Sequence, residues 1–133
     1  MSSYPLEPYL LKPIPEIPPD QVVKHQVNCL KQNSKKGDDL GVMAVFIFAS
    51  PSNRMVTGPL ARFIHMVKNP LYAPLLDHQE AHFDPITIKE NQAEQRVTVI
   101  DENNRANLYI FYLSRQTNGY YRNCWMTDRV MRG

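Results

Sequence analysis

Asp77, His78, Glu80, His82 and Asp84 place two imidazoles and three carboxylates in one short segment, the densest group of metal-binding side-chain types in the chain. Histidines four apart share a side of either a helix or a strand, so both rings could face one ion. A zinc site needs a third protein ligand and hydrogen-bonded support behind its ligands, and no other residue identifies itself as that ligand. A solvated polar strand edge is the better reading, and no metal is expected. Cys29 and Cys124 stand far apart in unrelated contexts, which reads as two buried thiols rather than a bridge or a zinc pair. Activated-serine, cysteine–histidine and phosphate-loop motifs are absent. With 5 glycines in 133 residues, a nucleotide cradle has little to be built from, and no cofactor is expected.

The elements that could position any such chemistry belong to one domain. A chain of 133 residues with 43% hydrophobic and 21% charged content can bury a core without disulfides or metal. Its net charge of +2 is spread, with no basic block, so nucleic acid is not an expected partner. No run approaches the ~18 apolar residues of a membrane span. The start, Met1-Ser2-Ser3-Tyr4-Pro5, has neither a basic nor an apolar signal region. A cytoplasmic or stroma-like reducing compartment is expected, with no membrane partner.

Residues 1–19 carry Pro5, Pro8, Pro13, Pro15, Pro18 and Pro19, which excludes helix and predicts an extended arm. Tyr4, Leu6, Tyr9, Leu10, Leu11, Ile14 and Ile17 make that arm too apolar for a solvated linker, so it should lie on the domain or on a partner. Residues 20–133 form the domain itself. Asp20 predicts the N-cap of a first helix, with Val22, Val23, Gln26, Val27 and Leu30 as its stripe. Asp38 or Asp39 predicts the cap of a second, which runs through Leu40, Met43, Ala44, Ile47 and Phe48 to Ser50-Pro51. Residues 52–57 read as loop. Pro59 opens a third helix, with Leu60, Phe63, Ile64 and Val67 on one stripe.

From Asp77 onward the period changes to two, which predicts strands over 78–83, 86–88, 95–100, 106–114 and 120–130. Asn103-Asn104 and Asn118-Gly119 suit two-residue hairpin loops. Those loops set Val97 opposite Ile110, Val99 opposite Leu108, Tyr112 opposite Trp125 and Ile110 opposite Thr127. One face then carries Val97, Val99, Leu108, Ile110, Tyr112, Trp125 and Thr127, and should lie under the helices with Trp125 as a central core residue. The other carries Thr98, Tyr109, Phe111, Leu113, Cys124 and Met126, and should need a second cover.

Three helices followed by a curved antiparallel sheet ending in a Trp-bearing strand resembles the cone-shaped α+β fold of the nuclear transport factor 2-like (cystatin-like) superfamily. Phe46-Ile47-Phe48-Ala49-Ser50-Pro51, Phe63-Ile64-His65-Met66-Val67, Tyr72-Ala73-Pro74-Leu75 and Trp125-Met126-Thr127-Asp128-Arg129-Val130 are similar to an uncharacterised family of bacteria and photosynthetic organisms within it. The resemblance covers about residues 20–131. Thr127 and Arg129 depart from the aliphatic and small residues common at those places. The resemblance implies a pocket between helices and sheet, with Phe63, Tyr72, Tyr112, Trp125 and Thr127 as its candidate lining. In enzymes of that superfamily such a pocket holds an acid or histidine base. Here the register turns Asp128 away from Trp125, and the helical stripes carry no inward-facing Asp, Glu or His. No catalytic residue is expected, and a filled aromatic core is expected over a catalytic pocket.

Three functions follow as expectations. The first is a non-enzymatic binding or assembly module that forms a homodimer through one sheet face and can hold a small apolar ligand in the cone. The second is a metal-independent small-molecule isomerase or lyase using the same pocket. The third is an adaptor that docks on a larger protein partner through its proline-rich arm.

Overall fold

The computed structural model describes residues 11–35 and 39–133. Asp38 and the arm residues Tyr4, Leu6, Tyr9 and Leu10 lie outside them. The chain is α+β, with four α-helices and a five-stranded antiparallel sheet among the described residues, not the three helices expected.

Helix α1 spans Pro19–Lys31. Pro19 opens it without loss, because the first helical N–H has no partner to miss. Asp20, expected as the cap, sits instead in the first turn, where its charge still complements the helix dipole. Val22, Val23, Gln26, Val27 and Leu30 are buried along one side. Helix α2 spans Leu40–Ile47, with Asp39 at its N-cap position in the left-handed region (φ 61°) and without a capping bond from its side chain. Asn33 does that work, its Oδ1 accepting from the Val42 N–H at 3.0 Å, while the Asp39 carboxylate pairs with Lys68 Nζ at 2.9 Å.

The fourth helix is α3, Pro51–Thr57, in the segment read as loop. Ser50 caps it by accepting from the Asn53 N–H, and Pro51 takes the first helical position. Ser50-Pro51 thus both stops α2 and starts α3. Arg54 of α3 reaches back to the end of α2, where Nη2 donates to Phe46 O and Ile47 O at 3.1 and 3.0 Å. Helix α4 spans Leu60–Val67 and buries Phe63 and Val67; Pro59 is its cap rather than its first residue.

The strands are β1 Glu80–Phe83, β2 Thr87–Lys89, β3 Gln92–Ile100, β4 Ala106–Arg115 and β5 Trp125–Arg132. β1 and β2 share one edge of β3, on either side of the Asp84-Pro85 break, and β4 and β5 follow in order. The register differs from the expected one by a single residue at the first hairpin: Val97 faces Tyr109 and Val99 faces Asn107. Asp101 is the reason. Its carboxylate accepts from the N–H groups of Asn103 and Arg105 and from Asn107 Nδ2, and Asn104 takes φ 64°. Asp101 also pairs with Arg105 through the backbone, which leaves three residues in the loop instead of two.

At the second hairpin Asn118-Gly119 is only part of a longer turn, and Trp125 faces Arg115 rather than Tyr112. Thr127 faces Leu113, after which the register shifts and Arg129 faces Tyr112. Asp128 is thus an extra residue, a bulge of the kind that bends a strand.

These shifts exchange the faces of β4, because side chains alternate. Tyr109, Phe111 and Leu113, expected to need a second cover, are core residues at 0–2% exposure beside Val97 and Val99. Leu108, Ile110 and Tyr112 turn to the outer face and are half-buried. Trp125 remains in the core, at the end of the sheet rather than its centre. Helix α1 packs on β3 and β5, α2 on α1, and α4 on α2.

Candidate functional site

Residues 48–50, between α2 and α3, run beside the free edge of β5. Thr127 N–H donates to Phe48 O and Ser50 N–H donates to Thr127 O, both at 2.8 Å, while Asn53 Nδ2 reaches Thr127 O at 3.1 Å. α3 is therefore hung from the strand next to the Asp128 bulge. Tyr72 ties the opposite wall, its hydroxyl donating to Val130 O at 2.8 Å. Between these two attachments the helices do not fill the space above β4 and β5. A cavity of about 440 Å³ remains, walled mainly by apolar side chains such as Leu30, Val45, Met66, Val67 and Leu75, with Phe111 on the sheet side. Val56, 77% exposed, marks its mouth.

Of the expected lining residues, Phe63, Tyr72 and Thr127 meet on this cavity. Tyr112 is on the outer face, its ring under the Arg129 guanidinium at 4.3 Å. Trp125 packs in the core, away from the cavity wall. The one-residue change at the first hairpin accounts for Tyr112, and the longer second turn, which sets Trp125 opposite Arg115, accounts for Trp125. Gln26, Asn53 and Phe111 also line the cavity and were not expected there. Gln26 carried a legible signal, since it is the one polar residue in the apolar stripe of α1.

Polar groups on the cavity are few. Gln26 Nε2 donates to Thr127 Oγ1 at 2.7 Å and to Val22 O at 3.2 Å, both bonds buried. Asp128 and Arg129 stand at the rim, and the Asp128 carboxylate accepts from Ser114 Oγ at 3.0 Å.

The histidine segment is arranged for packing. His78 is buried and its Nδ1 lies 2.7 Å from Leu75 O; a carbonyl only accepts, so Nδ1 carries the proton. His82 is exposed and pairs with Glu80 at 3.3 Å. The two rings do not converge on one site. His78 borders an open groove of about 670 Å³ between α1 and β1, along with His25, Lys24 and Lys31.

Burial lowers the pKa of both His25 and His78 below the ordinary 6.5. Below that value the unfolded chain binds protons that the folded chain refuses, so stability falls with pH. The melting temperature should hold above about pH 7 and drop as pH goes from 6.5 toward 5. His78→Asn, which keeps a donor for Leu75 O and cannot titrate, should flatten that drop. An equal slope in the variant would remove His78 from the account.

No helix among the described residues is long and apolar enough to cross a membrane. No curated protein and no solved structure matches the chain. Residues 17–127 match the family model described as "Domain of unknown function (DUF4864)", and the chain belongs to that family.

Proposed function

We propose that this protein is a non-enzymatic binding module that holds a small apolar ligand in the cavity between its helices and its sheet. The observation that carries the reading is the cavity itself: about 440 Å³ with mainly apolar walls, inside the size range of small-molecule sites. An unfilled apolar space of that size forfeits packing that a ligand would restore, at about 25 cal/mol per Å² of apolar surface covered. The cone architecture of the nuclear transport factor 2-like superfamily belongs to the same reading; α1 lying on a sheet bent at Asp128 supports it.

Two features favour binding over an isomerase or lyase. The Asp128 carboxylate is engaged by Ser114, and the buried polar pair on the cavity wall, Gln26 and Thr127, is neutral. A reducing, cytoplasmic setting fits two free buried thiols, of which Cys29 is pushed up to about 12 by burial.

The test is titration with the neutral fluorophore N-phenyl-1-naphthylamine. Saturable, blue-shifted emission at one site per chain is expected. Val67→Phe, which fills the cavity from α4, should weaken binding roughly tenfold while keeping or raising the melting temperature. Unsaturable emission, or tight binding undiminished by Val67→Phe, would overturn the assignment.

A second reading keeps an assembly role. The expected ground for a homodimer, a bare face of Tyr109, Phe111, Leu113, Cys124 and Met126, is gone because all five are buried within the chain. The outer face instead offers half-buried Leu108, Ile110 and Tyr112 with Met131 at 45% exposure. A dimer in sedimentation analysis that Ile110→Lys dissociates would support it. The adaptor reading rests on Leu11 and Ile14, 38% and 45% exposed at the described end of the arm.

A further inference from the structure

Gln26 is 0% exposed, and its amide can be oriented in only one way. The group facing Val22 O must be the donor, because a backbone carbonyl only accepts; Nε2 therefore points at Val22 O and Thr127 Oγ1. That leaves Oε1 buried with no hydrogen-bond partner. Native interiors pair nearly all such groups, and an orphan acceptor is costly. Beside it, the Thr127 hydroxyl accepts from Nε2 and still has its own proton to give. Both residues line the cavity, and they are 0% and 2% exposed.

We infer that the Gln26–Thr127 part of the cavity wall selects a neutral, mainly apolar ligand carrying a hydroxyl or N–H donor, which hydrogen-bonds Gln26 Oε1. The inference rests on the binding reading above and adds the ligand's chemistry. A carboxylate or phosphate does not fit, because an anion brings no donor for Oε1, and the one cationic side chain of the lining, Arg129, lies over the Tyr112 ring on the outer face. A purely apolar molecule fills the volume but leaves Oε1 unpaired, and sites built around a buried polar group discriminate strongly against partners that cannot bond it. The Thr127 hydroxyl can complete the recognition by donating to a ligand hydroxyl oxygen, which both gives and accepts.

The test uses two probes of nearly equal size, 2-naphthol and 2-methylnaphthalene, titrated into the full chain by calorimetry. Apolar transfer alone favours the methyl compound. The inference expects the reverse, with 2-naphthol binding about tenfold tighter or more. It also expects the Gln26 side-chain carbonyl 13C resonance to move downfield with 2-naphthol, as on accepting a hydrogen bond, beyond the ring-current shift that 2-methylnaphthalene gives. Gln26→Met should abolish the preference while 2-methylnaphthalene still binds. The two-probe comparison on the unaltered chain decides the matter even if that variant does not fold. Equal affinities, or a preference for the methyl compound, would sink the donor inference and leave the cavity reading standing, as when a resident water already satisfies Oε1. Binding of neither probe would overturn both.

Discussion

Replacing Phe111 by alanine should cost about 3–5 kcal/mol, a large part of the 5–15 kcal/mol that holds a typical domain together. Phe111 is 1% exposed, at the middle of β4, and packs in the main core beneath the helices. Ile110, its immediate neighbour, points to the outer face and is half-buried. Ile110→Ala should therefore cost only about 1 kcal/mol, near the centre of the range for ordinary point mutants. The comparison tests register directly. If the loop at Asn103-Asn104 held two residues, Ile110 would be the core residue and the two costs would change places. Denaturant midpoints of the two variants, with unchanged slopes, make the measurement.

Gly41→Ala should destabilise the protein by about 1–3 kcal/mol, against the direction that helix propensity alone predicts. Gly41 lies in the first turn of α2, where alanine would ordinarily gain up to about 1 kcal/mol over glycine. Sterics decide otherwise. A Cβ there would run into the Cys29 carbonyl oxygen and stand 2.9 Å from Asn33 Oδ1. The first of these is backbone near the end of α1, which cannot rotate away. The second is the group that caps α2 by accepting from the Val42 N–H. The helices would have to separate, and the cap would move with them. Gly119→Ala is the control, since nothing lies within 4 Å and only its positive φ of 77° is strained. It should cost about 1 kcal/mol. A thermal melt in which Gly41→Ala equals or exceeds the unaltered protein would mean that α1 and α2 are not in such close contact.

Much of this architecture was legible in the residues themselves, because periodicity is a local property. The change from a 3.6 to a 2 period at Asp77 separates helices from sheet, and prolines 18, 19, 51 and 59 fall at helix starts because only there does a missing N–H cost nothing. Even α3 was readable, as Ser50-Pro51 is a cap and a first residue. Gln26, alone and polar in an apolar stripe, already marked a buried polar group. Register was another matter. It turns on how many residues a loop holds, and that depended on the Asp101 carboxylate gathering three donors around itself. One residue of difference moved Tyr112 from the expected pocket to the outer face and brought Phe111 in. The cavity belongs to tertiary structure entirely. It is the small volume left over when α1, α2 and α4 settle over β4 and β5, with α3 held to the strand edge at Thr127. Such a remainder is a difference between large packed volumes, and no single stretch of sequence carries it.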